Sequence, residues 1–95
     1  MAEELAGRFA EAVNKLSGQE LVRLGDGWLI VKRDGWGHET AVSLSNVAAL
    51  SSYSDDKLAA LIITYTSGLQ VYLRYEKGNE YVEVRESLKV DVWQL

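Results

Sequence analysis

The chain has 95 residues, 47% of them hydrophobic and 25% charged, with a formal net charge of −4. That is one globular domain's worth, too apolar in composition for disorder and too acidic to seek the phosphates of duplex DNA or an anionic bilayer. The absence of cysteine excludes disulfides and thiolate metal sites, and the absence of proline leaves the turns to Gly, Asn, Asp and Ser.

No apolar run reaches the length of a membrane-spanning helix. The acidic start, Met1 to Leu5, lacks the apolar stretch of a secretory leader, so the expectation is a cytoplasmic protein.

Residues 3–17 carry helical period. Leu5, Phe9, Val13 and Leu16 recur at spacings of four, four and three, which puts them on one face. Alanines between them leave room for close packing. Glu3 and Glu4 suit the positive end of the helix dipole, Lys15 suits the negative end, and Gly18 is a natural stop.

Beyond Gly18 the period changes to two. Strands are predicted over 20–24 and 28–33, joined by the tight turn Gly25-Asp26-Gly27. Trp28, Ile30 and Lys32 would face one way, and Leu29, Val31 and Arg33 the other. A glycine-rich turn from Asp34 to Glu39 carries Trp36 and leads to a strand over 40–45. Ser45-Asn46 then opens either a helical turn through Leu50 or a further short strand. Ser51 to Lys57 is polar and reads as an exposed loop.

Residues 58–66 are the most apolar stretch, and the β-branched run Ile62-Ile63-Thr64 favours a strand. The turn Ser67-Gly68 leads to a strand over 69–75, and this hairpin is expected at the centre of the sheet. A turn over 76–79 precedes a strand over 80–85 with Val82 and Val84 inward. Val90 and Val92 allow a final strand over 89–93. One helix followed by strands on short links predicts an α+β domain. Its N-terminal amphipathic helix would pack on an antiparallel sheet of about five to six strands, open as a meander or curled into a half-barrel.

Motifs for chemistry are sparse. His38, the one histidine, can be written as a general base oriented by Asp34 or Glu39, but a solvated turn accounts for the same residues. Asp34, His38 and Glu39 are too few for a structural zinc site, and Asp55-Asp56 lacks the alternating oxygens of a calcium loop, so no metal is expected. The glycine pairs Gly25/Gly27 and Gly35/Gly37 lack the following helix or lysine of a phosphate loop, and no cofactor is expected. Glu80, Glu83 and Glu86 fit a solvated sheet face better than a carboxylate pair across a cleft.

The aromatics say more. Three tryptophans and five tyrosines are many large rings for one small core, so some must reach the surface. Tyr72 and Arg74 share the polar face of their strand, and Tyr65 on the preceding strand is expected as their cross-strand neighbour. Such a face can stack single-stranded bases or anchor a protein contact. Trp36, in its glycine-rich turn, is the residue most expected to touch a partner, or else it folds back over an open edge of the core.

The run Val42-Ser43-Leu44-Ser45-Asn46-Val47, followed later by Thr66-Ser67-Gly68-Leu69, resembles the strand, serine bend and glycine-turn hairpin of small PH-like sheet modules. Here the helix precedes the strands, whereas a PH-like module carries a helix after them. No site residue is carried over from that resemblance.

These features lead to an expectation of a non-enzymatic protein–protein interaction or assembly module, a homodimer or a subunit of a larger assembly, with Trp36, Tyr65, Tyr72 and Arg74 as binding residues. The alternative is a single-stranded nucleic-acid binder using the aromatic and arginine face with Lys32 and Arg33, although the net acidity disfavours it. A second alternative is a small enzyme or ligand-binding protein using the His38 loop. No membrane partner is expected.

Overall fold

A computed structural model describes residues 2–33 and 37–88. Helix α1 (Ala2–Ser17) comes first, followed by seven strands: β1 (Val22–Gly25), β2 (Trp28–Lys32), β3 (Glu39–Ser43), β4 (Val47–Ser54), β5 (Leu58–Tyr65), β6 (Leu69–Glu76) and β7 (Glu83–Leu88). The α+β class and the antiparallel pairing are as expected. The single sheet is not. The strands form two sheets, one of order β1-β2-β3 and one of order β4-β5-β6-β7.

The corrections lie in the middle of the chain. Of the two alternatives at Ser45-Asn46, the structure has the further strand and not the helical turn. Asn46 adopts a left-handed conformation (φ 59°), and β4 begins at Val47. Asparagine tolerates that backbone better than other L-residues. Ser51–Ser54, read as loop because it is polar, is the second half of β4. Its side chains are exposed at a sheet edge, so the strand needs no apolar signal; its backbone pairs with Ala59–Ile62. The last described strand runs over 83–88 rather than 80–85. The expected strand over 89–93 lies outside the described residues.

The helix packs on β1 of one sheet and on β4 and β5 of the other, so one element joins both sheets. Ala6, Phe9, Ala10 and Val13 are buried, while Leu5 and Leu16 are half-buried. The stripe is therefore centred one notch toward the alanines. Small side chains let the helix axis approach the strands; at Gly7 an added methyl would sit 3.4 Å from Leu24 of β1.

The core joins the two inner faces: Leu29, Val31 and Val42 from the three-stranded sheet, with Leu61, Ile63, Val71 and Leu73 from the other. Strand alternation assigns these residues directly. The expected sides of β2 hold, since Leu29 and Val31 are buried and Trp28 and Lys32 are exposed. Val82 and Val84 are inward as expected. The β5–β6 hairpin is central in its sheet. Further ties hold the sheets together: Val82 N–H donates to the Lys32 carbonyl at 3.5 Å, and the Tyr65 hydroxyl donates to the Ser43 carbonyl.

Candidate interaction surface

Strand register sets what lies side by side on the four-stranded sheet. Leu61, Leu73 and Val84 form one inward row, so their neighbours in sequence point outward. One outward row is Ser51, Ile62, Tyr72 and Arg85; the next is Tyr53, Ala60, Arg74 and Glu83. Tyr72 is 37% exposed and Tyr53 56%. Among the described residues no element lies over this face, because the helix packs on the inner side with Phe9 and Val13.

The polar groups of this face pair with one another. The Arg85 guanidinium lies 5.8 Å from the centroid of the Tyr72 ring, within the reach of a cation–π contact. Arg85 Nε meets a Glu83 carboxylate oxygen at 3.0 Å, and Arg74 meets Glu76 at 3.6 Å. Arg74 also sits across the strand register from Glu83. These pairs are solvated and contribute little to stability, but they leave the face close to electrically neutral.

At the far end of the sheet, Tyr53 and Asp55 close the β4–β5 turn. Asp55 accepts the backbone N–H groups of Lys57 and Leu58, both at 2.8 Å, and the Tyr53 hydroxyl at 2.7 Å. The Lys57 amide, then the Tyr53 hydroxyl, holds the Asp55 carboxyl below its ordinary value. The same contact pushes the Tyr53 phenol up.

The structure brings Tyr72 and Arg74 together as expected. It does not bring Tyr65 to them. The partners of Tyr72 are Ile62 and Arg85, while Tyr65 pairs with Val47 and packs its ring against the core. The parity of β5 decides this: Tyr65 is an even step from buried Leu61 and Ile63, so it takes their side. Burial, then the nearby Glu86 carboxylate, pushes its phenol above the ordinary value. Trp36 lies outside the described residues, as does Asp34. His38 is exposed beside Arg33, Glu39 and Thr40 in a shallow depression. Lys32 and Arg33 belong to the other sheet and its following loop, and the Arg33 guanidinium donates to the Val84 carbonyl of β7 at 3.5 Å.

Two members of the outer face were legible but passed over. Ile62 sits in the β-branched run, and Arg85 shares the side of Glu83, opposite Val84. Their adjacency to Tyr72 depends on register between strands, which a linear pattern does not carry.

Among the described residues no group of three or more His, Cys, Asp or Glu is placed to hold a metal ion, and no helix is long and apolar enough to cross a membrane. Comparison with known protein families, curated proteins and solved structures finds no match to this chain. The resemblance to PH-like modules therefore rests on its two short motifs alone.

Proposed function

We propose that this protein is a non-enzymatic assembly module that docks a protein surface, most simply a second copy of itself, on the outer face of its four-stranded sheet. The observation that carries the reading is the contiguous row of Ile62, Tyr72 and Arg85 beside Arg74, partly exposed and uncovered by any described element. Tyrosine and arginine over an aliphatic residue is the composition of an interface anchor. The face also carries both charge signs in adjacent positions, so a two-fold copy can match each arginine with a carboxylate.

Size-exclusion chromatography with light scattering tests it. The expected result is a concentration-dependent dimer that the Tyr72→Ala, Arg74→Ala double variant shifts to monomer, with unchanged circular dichroism. A wild-type chain that stays monomeric at millimolar concentration sinks the self-assembly reading.

The rival reading, single-stranded nucleic acid, is supported by the Arg85–Tyr72 stack. Glu76 and Glu83 weigh against it, since they neutralise the two arginines that would meet phosphates. Fluorescence anisotropy with labelled oligonucleotides at low salt separates the two.

A further inference from the structure

On the inner side of β7 the sequence alternates Val82, Val84, Glu86, Leu88. Val82 and Val84 are buried. Glu86 takes the same side: it stands across from Val71, which stands across from Ile63, and both of those are buried. A carboxylate thus ends a row of aliphatic side chains where the three-stranded sheet stops covering the other. The gap is a cleft of about 420 Å³, lined by Trp28 and Val42 on one wall and by Tyr65, Leu69, Val71 and Glu86 on the other. None of the ion pairs or hydrogen bonds among the described residues involves the Glu86 side chain.

We infer that this cleft binds a small organic cation, an ammonium or guanidinium group carried on an apolar stem. Glu86 takes the charge, the Trp28 and Tyr65 rings stand beside it, and Leu69 and Val71 receive the stem. The lining mixes these apolar side chains with Ser43, Ser45, Asn46, Thr66 and Ser67, and the volume falls within the usual range of about 300–1,000 Å³ for a small-molecule site. Aromatic rings next to a carboxylate select cations over neutral isosteres. The occupant is a free small molecule rather than an added peptide strand. The Tyr65 hydroxyl already occupies one lone pair of the Ser43 edge carbonyl, which an incoming strand at β3 would have to share. The Tyr65, Leu69 and Val71 wall lies on the opposite side of the sheet from Tyr72, whereas Glu86 also borders the hollow beside Tyr72 and Arg85, so the position of the shifted amides distinguishes this site from the assembly face.

The test titrates the full chain with phenethylamine and with its neutral isostere 2-phenylethanol, by two-dimensional NMR. The amine is expected to shift the amide signals of Val42–Ser45 and Tyr65–Val71. It should bind about tenfold tighter than the alcohol, the discrimination of one charge-assisted hydrogen bond. Glu86→Gln should bring the amine down to the level of the alcohol while the alcohol is unaffected. Equal affinity for both compounds in the wild type, or shifts mapping elsewhere, overturns the proposal. So does a Glu86→Gln variant in which the amine keeps its advantage over the alcohol, because Glu86 would then not be the group that takes the charge. A lysine peptide that binds where the free amine does not also overturns it.

Discussion

The phenol of Tyr65 reaches from the end of β5 to the Ser43 carbonyl at the end of β3, and so ties one sheet to the other. Its pKa is raised, which means folding favours the protonated phenol. Its contribution is therefore complete below the unfolded value of about 10 and is lost as pH rises through the higher folded value. Tyr53 has the same sign through Asp55. Urea midpoints measured from pH 7 to 11 should fall above about pH 10. In Tyr65→Phe the fall should be shallower, and stability at pH 7 lower by about 1 kcal/mol for the lost hydrogen bond. Asp55 has the opposite sense. Its lowered pKa contributes stability above the unfolded value and loses it as pH falls through the folded one. Asp55→Asn should flatten the acid limb below about pH 4, and a limb as steep as wild type would remove this role for Asp55.

Among the elements, the helix is the one whose existence and buried face are plainest in sequence, and Asn14 is the part of it that periodicity does not reveal. Its side-chain oxygen accepts the Leu21 and Val22 amides at 2.8 and 3.0 Å, and its amide donates to the Val22 carbonyl at 2.8 Å. One side chain thus fastens the end of α1 to the start of β1. Leu21 and Val22 are buried, so their polar groups have little access to water. Asn14→Ala should cost about 1–3 kcal/mol by leaving those groups unpaired. Phe9→Ala, at a fully buried position, should cost about 3–5 kcal/mol, a large share of what a small domain has. Chemical denaturation reads both. A Phe9 variant within about 0.5 kcal/mol of wild type would mean that the helix is not docked as described.

Strand β4 shows the opposite limit. Its outer half, Ser51–Ser54, carries a polar sequence because it lies at the sheet edge, and only the neighbouring β5 makes it a strand. The register shift between Val47 and Ala49 and the left-handed Asn46 set its start. Neither leaves a pattern that alternation alone can detect.

For the whole molecule, the two-sheet arrangement decides which surfaces are free. Docking on the Tyr72 face should depend only weakly on salt, because its arginines are already paired with Glu76 and Glu83. A dimerisation constant that falls steeply between 50 and 500 mM NaCl would contradict that neutrality and favour a charge-driven partner.

Taken alone, the sequence determined the α+β class, the amphipathic helix, the alternation of β2 and β6, the central β5–β6 hairpin, and the shared side of Tyr72 and Arg74. These are local consequences of periods of 3.6 and two. Tertiary structure decided that the strands divide into two sheets, that Tyr65 faces the core and not Tyr72, that Arg85 lies over Tyr72, and that Glu86 ends an aliphatic row in a cleft. Each of those depends on register and on which sheet covers which, and both are settled by contacts between residues far apart in the chain.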